Sequence, residues 1–251
     1  MSRKEKIKNK KKLLFIRIME IIFLTLIIYS SFFIIRWFKN NNENKQVIDE
    51  ISKSVEINQN VDEESAKYKI DFEELKQKNS DTKAWLKVEN TNIEFPIVQA
   101  TNNSYYLTHN FNRKYNTAGW IFADYKNKFD GTDKNIVIYG HNMRDNSMFG
   151  SLKDVIKEKW YNNEENKYIT LITENEYKTY QVFSVYQIEA EDYYIRTEFK
   201  KNEFSKFIET LVKRSKKDFD VEVSNEDTIL TLSTCANNNK YRVVLHAKKI
   251  V

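Results

Sequence analysis

Asp227-Thr-Ile-Leu-Thr-Leu-Ser-Thr-Cys235, Ala236-Asn-Asn-Asn-Lys240 and Tyr241-Arg-Val-Val-Leu-His-Ala247 follow one another in a chain of 251 residues. Ile229, Leu230 and Leu232, mixed with threonines, suit a buried strand. The asparagine run suits a turn. Tyr241 to Ala247 reads as a second strand. Cys235 therefore falls at a strand end and Arg242 at the start of the next, where the two can meet. Cys235 is the only cysteine in the chain.

A lone cysteine is ordinarily a small buried hydrophobe. The N-terminus argues for more here. Arg3, Lys4, Lys6, Lys8, Lys10, Lys11 and Lys12 carry much of a net charge of +5. Such a block can bind nucleic acid, but the adjoining segment points to a membrane and not to nucleic acid. Leu13 to Ile35 is apolar on all faces except at Arg17 and Glu20, which are spaced to pair on one helix face. As a helix this stretch spans about 34 Å, enough for a hydrocarbon core of roughly 30 Å. Arg36, Trp37 and Lys39 form an aromatic and basic rim, and the cation excess before the span sets the N-terminus on the cytoplasmic side. Tyr29-Ser-Ser-Phe-Phe33 is not an Ala-x-Ala cleavage site, so an uncleaved anchor is expected. The rest of the chain then lies outside the cell. A solitary thiol in an oxidising space is open to modification, which favours one kept for its reactivity.

The expected organisation is a cytoplasmic segment over 1–12, a transmembrane anchor over 13–35, an extracellular stalk over 36–68 and one catalytic domain over 69–251. The stalk is polar, with Asp62-Glu-Glu-Ser65 as its most acidic part. The domain opens on a short helix, Asp71 to Lys78, with Asp71 as its cap. Strands are expected at Ala84–Val88, Asn92–Val98, Gly119–Ala123, Asn135–Tyr139, Lys167–Ile172, Tyr177–Ile188, Thr228–Thr234 and Tyr241–Ile250. Eight strands separated by turn signals predict a closed or nearly closed β-barrel in a mainly β fold. Pro96 belongs at an edge or bulge. A helix is expected over Ser151 to Lys159. Phe204, Phe207, Ile208, Leu211 and Val212 recur at helical spacing and predict a second one, capped by Asn202, in the long connection before the cysteine strand.

A thiol needs a base or a positive neighbour to act as thiolate. Of three histidines, His109 lies in an irregular polar stretch and His246 sits mid-strand among packed residues. His141 follows a strand, Asn135-Ile-Val-Ile-Tyr-Gly140, and opens a loop, a place where catalytic groups are found. Spacing alone does not bring it to Cys235. Asp124, Asp145 and Asp227 lack metal-ligand spacing and read as solvated loop carboxylates. No metal or cofactor is called for.

Thr231-Leu-Ser-Thr-Cys235 with Arg242, and Tyr139-Gly-His-Asn-Met143 continuing to Ser147-Met-Phe-Gly150, resemble the sortases, specifically class B. Asn92-Ile-Glu-Phe-Pro-Ile-Val-Gln99, Asn103-Ser-Tyr-Tyr-Leu107 and Gly119-Trp-Ile-Phe-Ala-Asp124 extend the likeness, which covers most of Trp85 to Val251. The insert carrying the Phe204–Val212 helix is similar to one that class B members have between their sixth and seventh strands. The resemblance implies a membrane-anchored cysteine transpeptidase of Gram-positive bacteria with an eight-stranded barrel. Such an enzyme cleaves a C-terminal sorting signal after threonine, holds the protein as a thioester and passes it to an amine of the cell-wall peptidoglycan or its lipid-linked precursor. It implies Cys235 as nucleophile, His141 as general acid and base, and Arg242 as substrate and oxyanion ligand. Leu232, Ser233 and Thr234 would line or support the peptide groove, and the signal would be an Asn-Pro-x-Thr-like pentapeptide on a secreted protein. No catalytic carboxylate is implied, and Ala236 and Asn237 offer none. A cysteine endopeptidase with water as acceptor, a pilin-polymerising enzyme and a non-catalytic binding module remain as alternatives.

Overall fold

The computed structural model describes residues 3–57, 68–235 and 240–250. The asparagine turn, the pair Ala236 and Asn237, and the acidic stretch Asp62 to Ser65 lie outside the described residues. The chain divides into two compact units, Met1–Lys45 and Gln46–Val251.

A helix, α1, runs from Arg3 to Ile51. Within the first unit every large apolar side chain from Leu13 to Ile35 is exposed. Arg17 Nη1 donates to Glu20 at 3.3 Å, the expected pairing one turn apart. The helix is long and apolar enough to cross a membrane.

The second unit begins earlier than composition suggests. Val47 and Ile51 belong to the main core, and β1 (Val55–Ile57) pairs antiparallel with β2 (Tyr68–Ile70). Residues 46–57 are thus part of the folded body, where the sequence alone suggests a stalk. Val47 and Ile51 are buried, and Ile48 and Val55 pack against the same core. Next, α2 (Phe72–Lys78) is capped as expected, with Asp71 Oδ1 accepting from the Glu74 N–H at 2.8 Å. Phe72 and Leu75 anchor it to the core.

The barrel is built from β3 (Thr82–Val88), β4 (Glu94–Val98), β5 (Phe122–Ala123), β6 (Asn135–His141), β7 (Tyr168–Thr173), β8 (Tyr177–Glu189), β9 (Ile229–Cys235) and β10 (Tyr241–Lys249). It closes in the order β10-β8-β7-β3-β4-β5-β6-β9. The β4–β5 and β6–β9 pairs are parallel and the others antiparallel. Each expected strand is present, the one at Gly119–Ala123 reduced to two residues. Pro96 lies in β4, which bonds to β5 only through Val98, so the missing N–H disrupts no ladder on that side.

The β6 run Ile136-Val-Ile-Tyr139 is buried on both faces, which suits a strand with a parallel partner. Alternation on β9 and β10 divides the core into two layers. Leu230, Leu232, Val243, Leu245 and Ala247 face the barrel interior. Ile229 and Val244 face outward, against Phe204, Phe207, Ile208 and Leu211 of the helix α4 (Glu203–Arg214). Val212, expected in the same stripe, is exposed. Asn202 stands at the helix start with a left-handed φ of 67° and its side chain makes no capping bond; Glu203 accepts from the Lys200 N–H instead. The helix expected over Ser151 to Lys159 splits into a 3-10 turn, Gly150–Asp154, and a short α-helix, α3 (Glu158–Tyr161), because the backbone of Lys157 is extended.

Candidate active site

Strands β6, β9 and β10 are neighbours in the barrel, and their ends converge. In the parallel β6–β9 pair His141 is the register partner of Cys235. In the antiparallel β9–β10 pair Ser233 faces Val244 and Leu232 faces Leu245. Continuing that register sets Arg242 across from Cys235. The Val243 N–H donates to Thr234 Oγ1 at 3.0 Å, which holds the two strands together next to that point. Cys235, Arg242 and the sequence-distant His141 thus occupy adjoining positions at one end of three adjacent strands.

His141 is buried and its position is strongly determined. Its carbonyl accepts from the N–H groups of Met143 and Phe149, closing the loop behind it. Its Nε2 donates to the Leu107 carbonyl at 2.8 Å. Because a carbonyl only accepts, that bond keeps a proton on Nε2 and leaves Nδ1 as the titrating atom. Burial pushes the His141 pKa down, and the bond to Leu107 partly opposes this. The approach of Leu107 depends on Gly119, whose φ is +59°. A Cβ there would lie 2.4 Å from the Tyr106 carbonyl and 3.0 Å from His141 Cδ2.

A cleft of about 320 Å³ opens over these strand ends, lined by His141, Ser233, Thr234 and Arg242. Arg242 is partly exposed, and one of its guanidinium N–H groups donates to the Tyr241 carbonyl. Leu232, expected with Ser233 and Thr234 in the groove, faces the barrel interior and is fully buried, so it supports the strand from below.

The sortase domain family model matches residues 86–250. Over 242 residues the chain is 30% identical to Sortase B of Staphylococcus aureus, covering 94% of this chain and 97% of that one. The crystal structure of sortase B from Bacillus anthracis in complex with AAEK1 superposes with a TM-score of 0.74 at 33% identity, over 85% of this chain and 99% of that chain. A sortase B complexed with triglycine matches at 34% identity and a TM-score of 0.68, over 71% and 85% of the two chains. The chain belongs to the sortase family, class B. It is a cysteine transpeptidase by membership.

The structure of this class B sortase adds side chains that sequence reading missed. Glu191, Asp192, Tyr194 and Ile195 line the same cleft as His141 and Arg242. They come from the connection after β8, and a cleft wall on a long connection leaves no periodic trace in sequence. Asn103 and Tyr139 line it too, and both are held by Asp124. Asp124 Oδ2 accepts from Tyr139 Oη and from Asn103 Nδ2, each at 2.8 Å. Asp124 is therefore a buried positioning carboxylate, not the solvated loop residue that its spacing suggests. Asp227 accepts from the backbone and hydroxyl of Ser224 and pairs with Lys248, and Asp145 accepts from Ser147. Among the described residues no cluster of His, Cys, Asp or Glu is placed to hold a metal. His109 stacks on Tyr105 and bonds to its carbonyl, away from the cleft lining.

Proposed function

We propose that this sortase cleaves a C-terminal sorting signal after its threonine and joins the released carboxyl group to a peptidoglycan amine. The observation that carries this reading is the convergence of positions 141, 235 and 242 at one end of β6, β9 and β10 beneath a cleft. His141 Nδ1 takes the Cys235 thiol proton, and the thiolate attacks the threonine carbonyl carbon. Arg242 stabilises the oxyanion, a task for which its permanent charge and planar fork suit it. Collapse of the tetrahedral intermediate breaks the peptide bond, and His141 gives its Nδ1 proton to the leaving amine. The thioester is then attacked by the acceptor amine, whose proton returns to His141. The products are a new amide and the free thiol. Ser233 and Thr234 border the peptide, with Leu232 beneath them.

An Asn-Pro-x-Thr-like pentapeptide is the proposed signal. The relative complexed with triglycine supports a glycine-type amine as acceptor. The peptidoglycan cross-bridge or its lipid-linked precursor would supply that amine. The exposed apolar stretch from Leu13 to Ile35 supports a single-pass anchor with residues 1–12 in the cytoplasm and the barrel outside.

The test uses the full chain in detergent with a panel of threonine-containing sorting pentapeptides, with and without triglycine or a short diamino-acid amine. A Cys235-dependent amide product is expected. Hydrolysis alone with amine in excess would replace the reading by an endopeptidase. No cleavage across the panel would contradict both.

A further inference from the structure

The outer core layer behind the nucleophile strand is crossed by a line of buried polar groups. Tyr186, Thr231, Asn135 and His246 are all buried, His246 completely, among the rings of Phe183, Tyr186 and Tyr194. The directions of their bonds follow from one end. Asn135 Nδ2 donates to the Arg196 carbonyl at 2.8 Å. Its Oδ1 accepts from the Thr231 hydroxyl at 2.7 Å. With its proton so used, Thr231 Oγ1 accepts from His246 Nδ1 at 2.9 Å. His246 Nε2, left without a proton in the neutral ring, accepts from the Tyr186 hydroxyl at 2.8 Å. The Arg214 guanidinium acts electrostatically on the Tyr186 hydroxyl at the other end. Arg214 is ion-paired with Glu191 and lies over the Tyr193 ring.

Both ends of this line grip the same short segment. Glu191 begins it and the Arg196 carbonyl ends it. Between them lie Asp192, Tyr194 and Ile195, a wall of the cleft that His141 and Arg242 also line. A third tie, Tyr194 Oη to Ser233 Oγ at 3.1 Å, joins the middle of the wall to β9. Apolar residues of like volume would fill this layer at less desolvation cost. A chain of single hydrogen bonds from Tyr186 to the Arg196 carbonyl, anchored in β6, β9 and β10 and flanked by the Arg214 charge, supplies directionality that apolar packing does not.

We propose that the relay Arg214–Tyr186–His246–Thr231–Asn135 is a positioning device that fixes the Glu191–Arg196 wall above the nucleophile strand and so sets the fit of the bound peptide. Its members touch no reacting atom. The inference rests on the reading that this cleft takes the sorting peptide, but its mechanical half stands apart from that reading.

Two readouts on the full chain in detergent separate the two. Hydrogen exchange at the amides of residues 191–196 reads the wall itself. Thr231→Val should speed it by about tenfold or more, since one hydroxyl that both donates and accepts is lost. Thr231→Ser, which keeps the hydroxyl, should restore the slow rate. With a pentapeptide that the native enzyme cleaves, Thr231→Val should raise KM by about tenfold with kcat little changed, and Thr231→Ser should return KM toward the native value. Unchanged exchange in Thr231→Val, or Ser behaving like Val, would overturn the proposal. If the native chain cleaves nothing, the functional reading fails while the exchange result still decides the relay. Should Thr231→Val not fold, the tautomer of His246 decides. Nitrogen-15 NMR of the native protein should show a neutral ring with its proton on Nδ1, and a proton on Nε2 instead would break the relay.

Discussion

His141 and Arg242 meet the same strand end with opposite tools. The imidazole is buried and tied through Nε2, so its chemistry is confined to Nδ1. Since burial lowers its pKa, the neutral ring dominates at neutral pH, and protonation sets in only below the ordinary value of 6.5. The acid limb of kcat/KM should therefore fall below pH 6.5; a limb well above that value would remove His141 from the reaction as described. Arg242→Lys preserves the charge but loses the planar fork, and kcat should drop by about 10² or more. Pre-steady-state cleavage assays would read this, and a lysine variant of near-native rate would mean that charge alone suffices.

Among the elements, β9 and β10 were legible because apolar alternation and a polar turn stand next to one another in the sequence. The eight barrel strands follow from the same signal. The pairing of β6 with β9 was not legible, since a parallel partner nearly a hundred residues away leaves no local mark. Cys235, His141 and Arg242 could be nominated from residue chemistry and family likeness, while their adjacency needed the register. The cleft wall and Asp124 escaped because irregular segments encode contacts and not periods. The exposure of Val212 in α4 reflects a stripe that ends one position sooner than its spacing, and Asn202 fails as a side-chain cap because its backbone is left-handed. Gly140 shows how tightly β6 is packed beside His141. A Cβ there would stand 2.5 Å from the ring of Phe149, a fully buried side chain. Gly140→Ala should lower unfolding free energy by about 1–3 kcal/mol and depress activity further by displacing His141. Urea melts and peptide cleavage on the same sample check this; an unperturbed alanine variant would show that Phe149 yields freely.

The whole molecule couples an apolar helical segment to a compact catalytic unit that starts at Gln46. If Leu13 to Ile35 spans a bilayer, the full chain should stay in the membrane pellet through alkaline carbonate and high salt and leave it only with detergent. Release by carbonate would reduce the segment to a peripheral role. The barrel brings three strand ends under one cleft, and the proposed mechanism has a thiol, an imidazole and a guanidinium act there on one carbonyl. Intact-mass spectrometry with peptide mapping, on the full chain in detergent mixed with a cleavable sorting peptide and no amine, tests that claim most directly. The expected result is a mass gain equal to the acyl portion ending in threonine, mapped to Cys235, absent in Cys235→Ala and discharged when a glycine-type amine is added. An adduct on another residue, or cleavage that persists in Cys235→Ala, would contradict it.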